Sequence, residues 1–124
     1  MTQLAPDSSI ISTQACLSLD EAYEACRKET AQWAKTFYLG TMLLPSIKRR
    51  AIWAIYVWCR RTDELMDSAE AQTRPVSELA HRLDQWEERT RAMFAGQVLD
   101  GLDAVMADTL ERFPQSIQPY LDMI

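Results

Sequence analysis

The sequence contains few of the residues that build strands, disulfide frameworks and zinc sites. Its 124 residues include 3 glycines, 4 valines and 3 cysteines, against 15 alanines and 13 leucines. Because alanine and leucine favour helices and valine favours strands, the composition predicts an all-α fold. The cysteines are odd in number and form no CxxC pair, which argues against a disulfide framework or a zinc site and fits a reducing cytoplasm.

The chain also lacks a basic surplus, a leader-like start and a long hydrophobic run. Its formal net charge is −5, so no nucleic-acid partner is expected, because phosphate binding requires an excess of lysine and arginine. The uncharged stretch 51–59 is about half as long as a membrane-spanning helix. The N-terminus resembles neither a secretory signal nor an Arg-rich transit peptide. We therefore expect a cytoplasmic protein, and peripheral contact with a membrane stays an open alternative.

Local signals divide the chain into a flexible segment, residues 1–17, and a partial all-α domain, residues 18–124. The first segment mixes Ser, Thr, Gln, Pro and a few aliphatic residues without periodicity. Ser18 and Glu21 then match a capping box, which predicts the start of a helix. Further on, an apolar stretch is interrupted by Gly40, which predicts a break followed by a short helix or turn.

A helix predicted at about 45–67 is unusual because its segment 51–59 is apolar or aromatic on every side. Such a helix is normally enclosed by other helices. Few are available, since the pattern predicts a loop at 68–75 and amphipathic helices at 76–95 and 102–113. We therefore expect the chain to be the front part of a larger helical protein. The alternative is a compact bundle with a frayed end.

Two aspartates at the end of this helix form the motif that could carry chemistry. Asp63 and Asp67, spaced i, i+4, share one helix face, where they repel each other and oppose the negative end of the helix dipole. A cation would relieve both effects, and Mg²⁺ is often held by one or two carboxylates plus a phosphate. Tyr56 and Arg60 extend this face, so it suits a ligand with an anionic head and a hydrocarbon tail.

The same residues have a structural interpretation. An acidic pair near arginines is typical of a solvated helix face with local ion pairs, and the spacing alone favours that interpretation. The aromatic residues nearby are likewise typical of a core. What favours the functional interpretation is that the acids adjoin an apolar stretch that should be buried.

Three segments have distinctive sequences: AKTFYLGT at 34–41, RAIWAIYVWCRRTDELMD at 50–67 and FPQSIQPYLDMI at 113–124. Together they resemble the N-terminal part of the squalene/phytoene synthase family, in particular its phytoene-forming members. The resemblance covers about residues 19–124 and implies an isoprenoid-synthase fold, with helices around a central cavity. It also implies a transferase of carotenoid biosynthesis, which joins two geranylgeranyl diphosphates head to head, through prephytoene diphosphate, to phytoene.

The resemblance implies a role for five residues. Asp63 and Asp67 would form the first aspartate-rich motif and hold Mg²⁺, or Mn²⁺ in its place, against the diphosphate. Arg60 would contact the diphosphate of the isoprenoid substrate. Tyr56 and Phe37 would face the reacting prenyl chain. We expect Asp63, Asp67 and Arg60 to carry the catalysis.

One departure from the family pattern limits this expectation. The family has a second aspartate-rich motif on a later helix, and no residue of this chain matches it. Asp100, Asp103 and Asp108 are interpreted instead as helix-start and surface acids. Because the C-terminal part of the fold is absent from residues 1–124, we expect this piece alone to be inactive.

Two other classes of function stay open. The chain could be a non-catalytic all-α interaction or regulatory module derived from the same family, with its apolar segment 51–59 covered by another chain. It could also be a peripheral membrane-binding domain, although no strongly basic amphipathic helix supports this. The motifs do not decide between C15 and C20 prenyl substrates.

Overall fold

The structure, a computed structural model, describes residues 18–67 and 73–124. Within these two ranges it is built of α-helices and contains no strand, so the all-α prediction is confirmed. The segment 1–17, expected to be flexible, lies outside the described residues, as does most of the loop predicted at 68–75. The helices are α1 (Leu19–Trp33), α2 (Lys35–Thr41), α3 (Ser46–Asp67), α4 (Val76–Phe94), α5 (Gly101–Arg112) and α6 (Gln118–Met123).

The start of α1 follows the predicted capping box. The Glu21 backbone N–H donates to the Ser18 hydroxyl at 3.2 Å, and the Ser18 N–H donates to the Glu21 carboxylate at 2.9 Å. These two bonds satisfy backbone donors that have no partner within the helix. The sequence signal therefore located this helix start to the residue.

The break before α2 lies earlier than expected. Ala34, with φ −142° and ψ 66°, separates α1 from α2, and α2 then runs through Gly40. A helix tolerates a glycine at a cost of about 1 kcal/mol. The turn after Gly40 is closed by a backbone bond of 3.1 Å from Met42 N–H to the Leu39 carbonyl.

Helix α3 lies against α1, α4 and α5, and its aromatic residues fix the helices around it. The indole N–H of Trp53 donates to Thr41 at 2.9 Å, and that of Trp58 donates to Thr90 at 3.1 Å. These bonds join α3 to α2 and to α4. Each one satisfies a polar group that would be costly to bury alone.

The described residues enclose helix α3 on only one of its sides. The expectation that 51–59 is covered all round is therefore met in part. Five of these residues are buried against the neighbouring helices, whereas Ile52, Ile55, Tyr56 and Cys59 are half-buried. The buried ones are Ala51, Trp53, Ala54, Val57 and Trp58.

Candidate active site

Asp63 and Asp67 lie in the last two turns of α3, and both are exposed. No residue within the ranges 18–67 and 73–124 forms an ion pair or hydrogen bond with either carboxylate. Their placement is unfavourable in the absence of a cation, because two like charges one turn apart repel each other at the negative end of a helix. The pair therefore has two unengaged carboxylates on one face.

This donor set fits a divalent cation that is also bound by a ligand. Oxygen ligands suit Mg²⁺, which retains water and accepts phosphate oxygens when a protein offers only one or two carboxylates. In the part of the chain that the structure describes, no group of three or more His, Cys, Asp or Glu side chains is arranged to hold a metal. Asp63 and Asp67 thus fit Mg²⁺ shared with a phosphate.

The guanidinium of Arg60 is held in a fixed orientation beside this pair. Its Nε donates to Glu29 at 2.8 Å and its Nη2 to Glu64 at 3.1 Å. Its carbon Cζ lies 4.1 Å from the centre of the Trp33 ring, in a cation–π contact. Among the described residues none accepts a hydrogen bond from Nη1, which leaves that nitrogen open to a ligand.

Sequence reasoning placed Arg60 on this face but missed the three residues that hold it. Glu29 and Trp33 come from α1, and Glu64 follows Arg60 by one helical turn. The spacing of Arg60 and Glu64 was a readable signal, because i, i+4 pairs of opposite charge interact on a helix. No comparable local signal connects Glu29 to Arg60, since these residues are 31 positions apart.

An aromatic pair continues the face toward the start of α3. The rings of Phe37 and Tyr56 stack with their centres 5.8 Å apart and their planes at 30°. Phe37 is 47% exposed, so this pair presents apolar surface rather than core. The structure thus brings together two residues of α2 and α3 that the family resemblance had placed beside one prenyl chain.

These side chains form one surface, here termed the open face. It is apolar at one end, cationic in the middle and acidic at the other end. That order matches an amphiphilic anion, because the apolar end can bind a hydrocarbon chain while the charged end binds a metal-bound phosphate. The open face consists of Trp33, Phe37, Tyr56, Arg60, Asp63 and Asp67.

The prediction that Asp103 is a surface acid is wrong. Its side chain is 1% exposed, and it accepts hydrogen bonds from Arg61 at 3.2 Å and from Arg89 at 2.8 Å. Two cations around one carboxylate offset the cost of burying it. A signal was present in the sequence, because Asp103 precedes Met106 by three residues and Leu110 by seven, on the buried side of α5.

The other two acids of that group also differ in part from expectation. Asp100 caps α5 by accepting from the Asp103 N–H at 2.9 Å, as a helix-start acid should, but its side chain is 8% exposed. Asp108 accepts from the Tyr23 hydroxyl at 2.7 Å and from Arg112 at 2.9 Å. It is therefore a partly buried link between α1 and α5.

The pKa values of the two arginines at Asp103 move in opposite directions. Burial lowers the pKa of Arg61, and the nearby cation of Arg89 acts in the same direction. Arg89 is more exposed, so its own desolvation is outweighed by Asp103 and Asp100, and its pKa is raised. An arginine begins so high that both stay charged at neutral pH.

An open groove of about 480 Å³ lies near the start of α3, away from the open face. It is lined by Arg27, Arg50 and Trp53, among others, and by no residue of the open face. Among the described helices, none is both long and apolar enough to cross a membrane. The groove contributes no residue to the acidic end of the open face.

Comparison with known proteins identifies the family. The sequence profile of the squalene/phytoene synthases matches residues 30–124. The chain belongs to the squalene/phytoene synthase family. The match includes α2, α3 and every residue of the open face.

Relatives within this family are named phytoene synthases. The chain is 58% identical over 113 residues to the 15-cis-phytoene synthase of Synechocystis sp., a match that covers 91% of this chain and 32% of that protein. It is 48% identical over 123 residues to the chloroplastic phytoene synthase of Narcissus pseudonarcissus, covering 99% of this chain and 28% of the relative. The chain thus spans about a third of the length of these relatives.

A solved structure supports the fold. A crystal structure of a dehydrosqualene synthase in complex with a ligand superposes with a TM-score of 0.70 at 26% identity. The superposition covers 84% of this chain and 34% of that protein. The helical arrangement is therefore that of an isoprenoid synthase, as the sequence predicted.

Proposed function

We propose that this chain forms part of a head-to-head prenyl transferase that condenses two geranylgeranyl diphosphates to phytoene through prephytoene diphosphate, in carotenoid biosynthesis. The observation that carries this proposal is the open face, where two unengaged carboxylates lie beyond a fixed arginine and a stacked aromatic pair. The choice of phytoene is supported by phytoene synthase relatives at 48 and 58% identity, against 26% for the dehydrosqualene synthase.

In this proposal Asp63 and Asp67 hold Mg²⁺, or Mn²⁺ in its place, together with the substrate diphosphate. When bound, the cation supplies Lewis-acid chemistry by neutralising charge on the departing pyrophosphate. The two carboxylates fix the position of the cation, and the cation in turn fixes where the pyrophosphate binds. The repulsion between the two carboxylates in the free protein favours binding of the cation, because the cation's positive charge relieves it.

Arg60 binds the diphosphate through Nη1 while Glu29 and Glu64 occupy its other nitrogens. A guanidinium fixed in advance loses little freedom when it accepts an anion. Glu29 and Glu64 also form ion pairs with Arg60 in the absence of substrate. Arg60 is thus oriented toward the phosphate and its position does not depend on the ligand.

Phe37 and Tyr56 bind the prenyl chain next to the breaking C–O bond. An allylic carbocation forms there, and it must be kept from water. Aromatic faces stabilise a cation without adding a nucleophile to it. The stacked pair therefore supplies both an apolar surface and electrostatic stabilisation.

Cytoplasmic localisation and peripheral membrane association stay predictions.

A product assay on the full-length enzyme tests the proposal. With geranylgeranyl diphosphate and Mg²⁺ we expect phytoene, and with Asp67→Asn we expect kcat to fall by about a hundredfold or more, because charge stabilisation in the transition state is lost. Asp84→Asn is the matched control, since Asp84 is an exposed acid of α4. Exclusive use of a C15 diphosphate would contradict the proposed substrate. Equal kcat values for Asp67→Asn and Asp84→Asn would contradict the proposed role of Asp67 in the site.

A further inference from the structure

We infer that Arg61 is a positioning residue, which holds the last turns of α3 through a buried charge cluster so that its neighbours Arg60 and Asp63 keep their orientation on the open face. The charge cluster consists of Arg61, Arg89, Asp100 and Asp103. The inference rests on the proposed function, because it concerns residues that the proposal places against the diphosphate. Arg61 itself lies on the opposite, buried side of the helix.

The charge cluster joins three helices at one point. Asp103, in the first turn of α5, accepts from Arg61 of α3 with one oxygen and from Arg89 of α4 with the other. Asp100 accepts from Arg89 at 2.7 Å and lies 4.0 Å from Arg61. The two cations and two anions balance, and their side chains are between 1 and 26% exposed.

Backbone contacts make the carboxylate at the centre of the cluster rigid. The Leu99 N–H donates to the Asp103 carboxylate at 3.1 Å, and Asp103 in turn donates its own N–H to Asp100. Asp103 is therefore fixed by the chain on both sides of the α5 start. A bond from Arg61 to such an acceptor restrains α3, because little else in the cluster can move to follow it.

A second contact restrains the same turn of α3. The Arg61 guanidinium lies 4.7 Å from the centre of the Trp86 ring, and the Trp86 indole donates to Thr62 at 2.8 Å. Residues 61 and 62 are thus both anchored on the buried side. Because successive helix residues are about 100° apart, anchoring these two directs Arg60 and Asp63 away from the core.

The tests compare Arg61→Gln and Arg61→Lys in the full-length enzyme. A purely structural control is Tyr23→Phe, which removes hydrogen bonds between α1 and α5 that involve no residue of the charge cluster. For each protein we would measure the urea midpoint, kcat, KM and the Mg²⁺ concentration for half-maximal activity. Calorimetry with Mg²⁺ and inorganic pyrophosphate gives binding independently of turnover.

We expect Arg61→Gln to raise the half-saturating Mg²⁺ concentration and weaken pyrophosphate binding by about tenfold, as loss of supporting contacts around metal ligands does. Arg61→Lys should recover part of this loss, because it keeps the charge but not the planar fork. Tyr23→Phe should leave both values unchanged. If Arg61→Gln fails to fold, Arg61→Lys alone decides, with an increase of a few fold expected.

The outcomes separate this inference from the proposed function. If the enzyme makes phytoene and the Arg61 variants show the same Mg²⁺ dependence as Tyr23→Phe, the inference is wrong and the function stands. If the enzyme binds Mg²⁺ with pyrophosphate but makes no phytoene, the function is wrong, and the calorimetric shift still decides the inference. Absence of any such binding by the unaltered enzyme overturns both.

Discussion

At the scale of single residues, Tyr23 shows how one buried hydroxyl joins two helices. It donates to Asp108 at 2.7 Å and lies 3.0 Å from the hydroxyl of Thr109, both on α5. The pKa of Tyr23 is raised to about 12, chiefly by burial; the hydrogen bond to Thr109 opposes this rise and the hydrogen bond to Asp108 adds to it. The folded protein therefore favours the neutral phenol more than the unfolded chain does.

This shift predicts a loss of stability in alkaline solution. The contribution of Tyr23 is complete below its ordinary pKa of 10.0 and is lost as the pH rises through about 12. Between those values the free energy of unfolding should fall more steeply for the unaltered protein than for Tyr23→Phe. Urea unfolding at a series of pH values measures both slopes.

Comparing the unaltered protein with Tyr23→Phe cancels the effect of another group, the Cys26 thiol, on the pH dependence of stability. Burial raises the pKa of the Cys26 thiol to about 12, so Cys26 also reduces stability at high pH, but it does so equally in both proteins. The difference between the slopes therefore reports Tyr23. Equal slopes would show that the phenol is as easily ionised in the folded protein as in the unfolded one.

At the scale of helices, the starts and faces could be predicted from sequence and the contacts between helices could not. The capping box at Ser18 is a local signal, and so is the common face of Asp63 and Asp67 on one helix. The Arg61–Asp103 bond spans 42 residues, and no rule of local spacing reaches that far. The break at Ala34 was missed because Gly40 gave the stronger local signal.

The capping box gives a prediction for α1. Ser18→Ala removes the acceptor for the Glu21 N–H and should lower the free energy of unfolding by about 1 kcal/mol. Ser77→Ala is the control, because Ser77 is an exposed residue in the first turn of α4. Urea unfolding followed by circular dichroism measures both. A loss for Ser77→Ala as large as that for Ser18→Ala would contradict the capping role.

At the scale of the whole molecule, the described helices bury one side of α3 and leave the open face uncovered. The chain spans about a third of the length of its phytoene synthase relatives. The position of Asp63 and Asp67 on this face followed from helical periodicity, and the pairing of Phe37 with Tyr56 followed from the family resemblance. The contacts that hold Arg60 followed from neither, because they depend on how α1 packs against α3.

Asp63 and Asp67 are proposed to bind a magnesium-bound diphosphate together, and calorimetry of the full-length enzyme with inorganic pyrophosphate and Mg²⁺ measures that binding. We expect Asp63→Asn to weaken binding by about tenfold or more, whereas Asp84→Asn, which removes the same charge from α4, should leave it unchanged. Equal affinities for Asp63→Asn, Asp84→Asn and the unaltered enzyme would show that the aspartate pair is a solvated helix face and not a metal site.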